Sequence, residues 1–291
     1  MKEAYKVHIA LFIVSLIYGA NYNIGKAIMP DYVQAFGIIV LRVTGASILF
    51  WILHAAAVKE KVDFKADFWK LLICAITGVA ANQLLFFKGL SLTSPINASV
   101  IMTTSPILVL IASAIILKEK ITRKKMLGIF LGLVGAFFLI GGTNFSFSGE
   151  TVTGDFLILL NGSSYGIYLV LVKPLMKKYS PFTIIKWIFT MGWFMVLPFG
   201  VPELLEVNWE TIPVSIWASL AYVVIATTFI VYWLNAWALK RVSPSIVGFY
   251  IYFQPLIATS IAILFGTHAL TLEKVLFSLL IFLGVFLVSK K

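Results

Sequence analysis

Polar and aromatic side chains recur at helical spacing inside long apolar stretches of this sequence. A polar group deep in an apolar membrane segment is costly unless it meets a partner, a cavity or a backbone carbonyl. Residues three or four positions apart share one face of a helix, so each set points in one direction. The candidate substrate-binding residues are Tyr18, Asn21, Arg42, Asn82, Gln83, Phe86, Thr103, Asn161, Ser164, Tyr165, Tyr168, Tyr232, Asn235, Tyr250, Tyr252 and Gln254. The amides, hydroxyls and aromatic rings of this set together predict a neutral, amphipathic pocket for a zwitterion, or for an aromatic or nucleoside-like solute.

A purely structural role is the alternative for the small polar residues and for Arg42. Asn, Ser and Thr side chains in membrane helices often hydrogen-bond neighbouring helices instead of a ligand. Arg42 is the one charge well inside an apolar stretch, roughly two turns from its N-terminal end. It would attract a substrate carboxylate or lock an outer gate; alternatively, it snorkels outward or pairs with a carbonyl or with Asp31.

The sequence lacks the residues that several kinds of chemistry require. No Asp or Glu lies in the middle of an apolar stretch, so proton coupling through a midplane carboxylate is not expected. A uniporter or an exchanger is favoured. The phosphate-binding pattern G-x-x-x-x-G-K-[ST] does not occur. His8, His54 and His268 are scattered, so we expect no metal, no cofactor and no catalytic residues.

The composition places the chain in a bilayer. Of its 291 residues, 60% are hydrophobic and 12% are charged, with a mean hydropathy of +0.99, whereas soluble domains carry about a quarter charged residues. The net charge of +11 does not predict nucleic-acid binding, because the basic residues sit in short clusters between apolar runs and not on one polar face. Such clusters are typical of cytoplasmic loops facing anionic lipid.

The predicted fold class is an all-α membrane protein with ten transmembrane helices, since about 20 apolar residues are needed for each span. The ten runs cover about 7–28, 34–57, 69–89, 95–117, 124–141, 153–175, 181–201, 213–238, 243–265 and 272–289. With the N-terminus in the cytoplasm, most Lys and Arg residues fall on inner segments, while Glu203, Glu206 and Glu210 share an outer loop. This asymmetry predicts a multi-pass protein of the cell (inner) membrane with both termini cytoplasmic.

The run from Ser94 to Leu139 returns near the C-terminus at a fixed offset of 149 residues. Without a gap, the two copies pair Ser94 with Ser243, Pro95 with Pro244, Pro106 with Pro255, Thr122 with Thr271, Lys125 with Lys274, Gly135 with Gly284 and Phe137 with Phe286. Such an offset is the signature of an internal repeat. Pro106 and Pro255 are predicted to bend or break their helices and to act as hinges.

Ten spans in two repeats leave five spans in each half. An odd number forces the second half into the membrane upside down, with a site near the midplane where the halves meet. Lys26 and Lys173 add a weaker match between the first and sixth spans. The predicted units are a first five-helix repeat at 1–142, an outer linker at 143–152 and a second, inverted repeat at 153–291.

The two helix-pair units resemble those of the drug/metabolite transporter superfamily, specifically its ten-helix EamA-type exporters. The resemblance rests on GLSLTSPINASVIMTTSPILVLIASAIILKEKIT before KKMLGIFLGLVGAFFL, and on ALKRVSPSIVGFYIYFQPLIATSIAILFG before LGVFLV. It implies a carrier that moves a small organic molecule by alternating access. It also implies a cavity lined mainly by spans 1, 3, 4, 6, 8 and 9, with spans 5 and 10 as scaffold or dimer contact. Gly-Glu often follows spans 4 and 9 in the family, whereas Lys118-Glu119 and Thr267-His268 stand here.

We therefore expect a secondary transporter, an exporter or exchanger, of a small metabolite such as an amino acid or another amphipathic solute. The expected partners are this solute and membrane lipid, with the chain as a monomer or homodimer and without nucleic acid. A membrane-embedded enzyme or lipid-handling protein, or a non-transporting receptor or assembly subunit, is the alternative. An enzyme would need a catalytic cluster near the interface, and the sequence supplies none.

Overall fold

Helices form the regular structure of the computed structural model, which describes residues 2–139, 151–264 and 271–289. In the first part of the chain they are α1 (Lys2–Ile28), α2 (Ala35–Ala57), α3 (Phe64–Ala75), a π-turn (Ile76–Ala80), α4 (Ala81–Leu92), α5 (Pro95–Met102), α6 (Ser105–Ile116) and α7 (Arg123–Leu139). In the second part they are α8 (Val152–Lys178), α9 (Pro181–Leu205), a 3₁₀ turn (Trp209–Thr211), α10 (Val214–Val224), a π-turn (Ile225–Ile230), α11 (Val231–Leu239), α12 (Pro244–Phe249), a 3₁₀ turn (Tyr250–Tyr252), α13 (Phe253–Leu264) and α14 (Leu272–Ser289). The predicted linker at 143–152 and the pair Thr267-His268 lie largely or wholly outside the described residues.

Seven helical stretches of the described chain are long and apolar enough to cross a membrane. They are Tyr5–Ile28, Ala35–Ala57, Phe64–Leu92, Asn97–Ile116, Val152–Lys178, Pro181–Leu205 and Val214–Leu239, and Val275–Val288 is a shorter apolar helix. The all-helical, multi-pass character predicted from the sequence is therefore confirmed. The count of ten spans and the inverted arrangement stay predictions.

Serine-proline pairs begin two helices at equivalent places. Ser94 precedes α5, and its side chain accepts a hydrogen bond of 3.0 Å from the Asn97 backbone N–H. Ser243 is the residue before α12, which starts with Pro244. Serine is favoured before the first helical turn and proline within it, so the repeated Ser-Pro sequence starts a helix in both copies.

Irregular turns also recur at the repeat offset. The π-turns begin at Ile76 and Ile225, which are 149 residues apart. The α5–α6 break and the 3₁₀ turn Tyr250–Tyr252 come shortly before Pro106 and Pro255. A proline cannot donate a hydrogen bond to the preceding turn, which explains the change in helix geometry there. Whether either proline acts as a hinge stays a prediction.

The first helix of each predicted half packs into the other half. Helix α1 lies against α10, α11 and α13, whereas α8 lies against α4 and α6. Helix α2 packs on α9, and α7 packs on α14. At the last contact, a Cβ added to Gly128 would lie 2.7 Å from the carbonyl oxygen of Gly284, so the two backbones approach too closely for a larger residue. The packing of α1 and α8 into the opposite predicted halves leaves a space between the two halves.

Candidate substrate cavity

A cavity of about 740 Å³, its opening included, lies among α1, α2, α4, α8, α11 and the region around the 3₁₀ turn Tyr250–Tyr252. Its lining residues are Val14, Ser15, Tyr18, Asn21, Arg42, Asn82, Gln83, Phe86, Phe87, Met102, Asn161, Tyr165, Tyr232, Asn235, Val247, Tyr250, Ile251 and Gln254.

Most of the sequence-predicted residues meet at this cavity. Those that line it are Tyr18, Asn21, Arg42, Asn82, Gln83, Phe86, Asn161, Tyr165, Tyr232, Asn235, Tyr250 and Gln254. They come from seven separate helical segments, so the fold brings together side chains as far apart in the sequence as Tyr18 and Gln254. Their convergence is a structural observation, while substrate binding by them stays a prediction.

Tyr252 does not line the cavity. Its ring is fully buried on the far side of the helix, at 4.9 Å from the Phe249 ring and close to α7, where a Cβ on Gly132 would lie 2.5 Å from it. The sequence prediction groups Tyr250, Tyr252 and Gln254 on one side of the helix. Residues two positions apart lie far apart around the axis both in an α-helix, by about 200°, and in a 3₁₀ turn, by about 240°, so Tyr250 and Gln254 line the cavity and Tyr252 does not.

Tyr168, Ser164 and Thr103 also lie outside the cavity lining. The Tyr168 ring packs against the π-turn, so closely that a Cβ on Gly78 would lie 2.3 Å from it. The Ser164 hydroxyl donates to the Thr77 carbonyl oxygen at 2.8 Å, and the Thr103 hydroxyl to the Val100 carbonyl oxygen at 2.6 Å. These groups meet the protein backbone, which is the structural alternative for polar residues in membrane helices.

Arg42 lies inside the cavity wall and is only 4% exposed. Its Nε donates to Thr228 Oγ1 at 2.8 Å, and its guanidinium carbon lies 4.6 Å from the centre of the Phe87 ring. In the structure Arg42 therefore neither snorkels outward nor pairs with Asp31. Its neighbours are a threonine hydroxyl and an aromatic ring. No Asp or Glu is among the described residues that line the cavity.

Two amide side chains in the wall have unsatisfied polar atoms. Gln83 is 3% exposed, and neither of its amide atoms has a hydrogen-bond partner within the described ranges. The Oδ1 atom of Asn21 is likewise unpartnered there. A buried polar atom without a partner costs about 1–3 kcal/mol. Water or a polar solute in the cavity would therefore stabilise both side chains.

Other polar groups of the wall are fixed by the protein. Asn161 donates its amide to the carbonyl oxygen of Asn82 at 2.6 Å, and the Tyr232 hydroxyl donates to the carbonyl oxygen of Gly78 at 2.7 Å. The Tyr250 hydroxyl lies 2.6 Å from His8 Nδ1. These contacts hold the side chains in place, so the wall has a defined shape.

Sequence reasoning missed six lining residues, which are Val14, Ser15, Phe87, Met102, Val247 and Ile251. Most are apolar and do not stand out in an apolar helix. Ser15 precedes Tyr18 by three positions, and that spacing was a usable signal because both residues share a face. Its hydroxyl donates to the carbonyl oxygen of Tyr250 at 2.8 Å, which ties α1 to the 3₁₀ turn.

A lysine binds helix-end carbonyls at each end of the bundle. Lys26 Nζ donates to the carbonyl oxygens of Leu90, Ser91 and Thr93 at 2.9, 3.3 and 3.3 Å. Lys173 Nζ donates to the carbonyl oxygens of Leu239 and Val242, the latter at 2.7 Å. Leu239 and Val242 lie 149 residues after Leu90 and Thr93, so the two contacts obey the repeat offset. We call them the Lys26 clamp and the Lys173 clamp.

A carboxylate accompanies each clamp. On the Lys26 side, buried Asp155 accepts hydrogen bonds from Thr93 Oγ1 at 2.6 Å and from Asn97 Nδ2 at 3.3 Å. These contacts join α8 to the α4–α5 connection.

On the Lys173 side, Glu119 accepts a hydrogen bond of 3.0 Å from Ser245 and forms an ion pair with Lys125. Burial alone would raise the pKa of the Glu119 carboxyl, but the Lys125 ammonium and the serine hydroxyl outweigh it, and the pKa is lowered. This contact joins the α6–α7 loop to α12, so carboxylates link the two halves at both ends of the bundle.

Comparison with known proteins identifies the family. The model of the EamA-like transporter family matches residues 6–141 and, a second time, residues 152–290. The uncharacterized transporter YyaM of Bacillus subtilis is 25% identical over 97% of this chain and 93% of its own length. An uncharacterized transporter of Archaeoglobus fulgidus is 25% identical over 86% of both chains.

A plant protein and a solved structure also match this chain. The WAT1-related protein At2g40900 of Arabidopsis thaliana is 24% identical over 91% of this chain and 72% of its own length. A solved crystal structure superimposes with a TM-score of 0.76 at 16% identity, covering 98% of this chain and 96% of that one. At that identity the superposition supports the fold alone.

Proposed function

We propose that this chain, which belongs to the EamA-like transporter family, is a secondary transporter of a small organic metabolite. The name of the family and the names of its bacterial and archaeal relatives indicate a transporter rather than an enzyme. One structural observation carries the narrower proposal: a cavity lined by polar and aromatic side chains from both parts of the chain lies inside the bundle. A polar, partly unsatisfied interior is typical of a solute pathway in a membrane protein.

The mechanism we propose is alternating access between two inverted five-helix repeats. Three observations support it: the second match of the same family model, the recurrence of π-turns at the repeat offset, and the exchange of α1 and α8 between the halves. In such transporters the site lies where the repeats meet, and rocking of one repeat against the other exposes it to each side in turn.

The two lysine clamps are the proposed gates. Lys26 lies at the C-terminal end of α1 and Lys173 near the C-terminal end of α8. With both termini in the cytoplasm, the Lys26 clamp faces outward and the Lys173 clamp faces inward. Both clamps are formed here, which is the arrangement expected of an occluded carrier. Release of one clamp at a time would open the cavity to one side.

The remaining parts of the proposal follow from the sequence. We place the carrier in the cell membrane, as an exporter or exchanger working as a monomer or homodimer in contact with lipid and without nucleic acid. Among the residues described, no group of three or more His, Cys, Asp or Glu has metal-binding geometry, and the proposal invokes no metal or cofactor.

Reconstitution tests the proposal. Liposomes containing the purified protein are loaded with a mixture of small metabolites, and protein-dependent release is followed by mass spectrometry. A carrier releases particular solutes at rates that saturate with concentration. Protein-dependent flux that rises linearly with concentration would indicate a channel, and release no faster than from protein-free liposomes would exclude transport of the solutes in the mixture.

A further inference from the structure

The cavity wall contains a buried positive charge that has no counter-ion among the described residues. Arg42 is buried against Thr228 and Phe87. Within the part of the chain that the structure describes, no ion pair involves Arg42 and no acidic residue lines the cavity. Arginine remains protonated in proteins, so burial does not remove its charge.

The contacts just described use only part of the hydrogen-bonding capacity of the Arg42 guanidinium group. A guanidinium group carries five N–H donors in a planar fork. The hydrogen bond to Thr228 uses Nε, and the Phe87 ring covers one face of the plane. The fork matches the two oxygens of a carboxylate, with which arginine forms bidentate, charge-assisted pairs. An uncompensated buried charge is strongly destabilising, while a paired one is tolerated.

We propose that the transported solute is an organic anion with one carboxylate, and that Arg42 binds this carboxylate. The inference rests on the proposed transport function and narrows its substrate class. The Phe87 ring and Thr228 fix the guanidinium plane from the protein side, and the solute completes the charge balance of the cavity.

The rest of the wall determines the body of this solute. Phe86, Met102, Val247 and Ile251 supply apolar and aromatic surface. The unpartnered Gln83 amide, with one donor and one acceptor side, would bind a polar but uncharged substituent. The body that fits is therefore apolar or aromatic, with at most a hydroxyl, carbonyl or amide group.

The same wall disfavours other charges. An amino acid zwitterion or an organic cation brings an ammonium group, and the described lining contains no carboxylate to pair with it. A phosphate ester carries a charge of about −1.5 to −2, which exceeds the single charge of Arg42. The lysines of the two clamps, Lys26 and Lys173, do not line the cavity and already donate to backbone carbonyls. A single carboxylate is the group that leaves the loaded cavity neutral.

Charge balance has a kinetic consequence. Closing the empty cavity removes water from an unpaired charge, whereas closing the loaded cavity removes water from a neutral pair. The loaded carrier is then expected to change sides more readily than the empty one. Exchange of internal for external carboxylate should therefore be faster than net release.

A set of compounds with one carbon skeleton tests the charge requirement. The probes are 3-phenylpropanoate, 3-phenylpropanamide, 3-phenylpropylamine and phenylalanine, together with aliphatic monocarboxylates of three to ten carbons. Binding to the full-length protein is measured as an increase in its thermal midpoint. We expect stabilisation by one or more carboxylates and little or none by the amide, the amine and phenylalanine. Equal stabilisation by the carboxylate and its amide, or no stabilisation by any carboxylate, would overturn the proposal.

Variants of Arg42 test the assigned residue. Arg42→Gln should weaken binding of the stabilising carboxylate by about 30-fold or more, because it removes one partner of a buried charge pair. Arg42→Lys should bind more weakly than wild type, since it keeps the charge but loses the fork. Arg241→Gln is the matched control, because Arg241 is exposed and stacks on Trp237 at the bundle end. Unchanged affinity in Arg42→Gln would overturn the assignment.

Transport separates this inference from the proposed function. Carboxylate counterflow into liposomes should occur with wild type and Arg241→Gln and be lost in Arg42→Gln. Saturable transport of uncharged or zwitterionic metabolites that survives Arg42→Gln would refute the carboxylate inference and leave the transporter proposal intact. If no metabolite moves, the transporter proposal itself fails. The wild-type comparison of acid with amide does not depend on any variant folding.

Discussion

Removing either lysine clamp should open the cavity to one side of the membrane. In Lys26→Met the carbonyls of Leu90, Ser91 and Thr93 lose their shared ammonium donor. In Lys173→Met the carbonyls of Leu239 and Val242 lose theirs. Methionine keeps a long apolar stem of similar reach, so the substitution removes the charge while largely retaining the packing.

The size of the effect follows from the contacts. A hydrogen bond from a charged donor contributes about 1.5–3 kcal/mol. Both clamps are part-buried, and the released lysine regains water, so the lower half of this range applies. A free-energy change of about 1.4 kcal/mol corresponds to a tenfold change in an equilibrium constant. We expect each variant to increase the open population at its own end by about tenfold or somewhat more.

Cysteine accessibility measures this shift. The protein contains one cysteine, the buried Cys74, so Cys74→Ala provides a background for the single cavity reporter Asn21→Cys. Labelling by a membrane-impermeant maleimide is followed in intact cells and in inverted vesicles. With the N-terminus in the cytoplasm, Lys26→Met should speed labelling from outside, and Lys173→Met should speed labelling from inside.

The controls remove a lysine near each end without touching a clamp. Lys88 and Lys124 are exposed, so Lys88→Met and Lys124→Met should leave labelling unchanged. Increased labelling from the same side in both clamp variants, or no change in either, would refute the assignment of the clamps as opposite gates.

Two further predictions concern stability. Tyr168→Ala should lower the free energy of unfolding by about 3 kcal/mol, since it removes a buried ring packed on Gly78. Asn235→Ala in the cavity wall should change the free energy of unfolding much less and should instead reduce transport. Denaturation in detergent measures the stability of both variants and uptake assays measure their transport; an equal loss of stability in the two would contradict the placement of Tyr168. Glu119 has a lowered pKa in the folded state, so its contribution to stability is present above the pKa of the unfolded chain and is lost as the pH falls through the folded pKa. The thermal midpoint of the wild type should therefore fall more steeply below about pH 4.5 than that of Glu119→Gln. Parallel curves of thermal midpoint against pH would contradict this.

Much of the fold could be predicted because its signals are local. The Ser-Pro pairs, the prolines at 106 and 255 and the fixed offset indicate equivalent helix starts and irregular turns from the sequence alone. Helical spacing also placed most polar wall residues on the correct faces, because those faces belong to regular helices.

The structure differs from the sequence prediction at particular side chains. Tyr250 and Gln254 are four positions apart and share a side of the helix, whereas Tyr252 is two positions from each and lies on the other side. Tyr168 and Ser164 have the correct helical spacing, yet they face the π-turn at Ile76–Ala80, whose position in space depends on packing between α3 and α8. Local sequence does not encode which neighbour a face meets.

Other features needed the tertiary structure altogether. The match of Lys26 with Lys173 was visible in the sequence, but their carbonyl partners lie 64 to 69 residues away along the chain. Thr228 and Phe87 as the surroundings of Arg42 likewise depend on how α2, α4 and the second π-turn pack together.

Filling the cavity tests the central claim most directly. Met102 lines the cavity, and Met102→Trp should obstruct it with a larger and more rigid side chain, whereas Ile115→Trp places the same side chain at a position that is 72% exposed on the outer surface of α6. Uptake into liposomes is measured for both variants after gel filtration has shown equal folded yields. We predict that Met102→Trp abolishes saturable uptake and that Ile115→Trp retains it. Wild-type uptake by Met102→Trp, with an unchanged KM, would contradict the claim that the solute passes through this cavity.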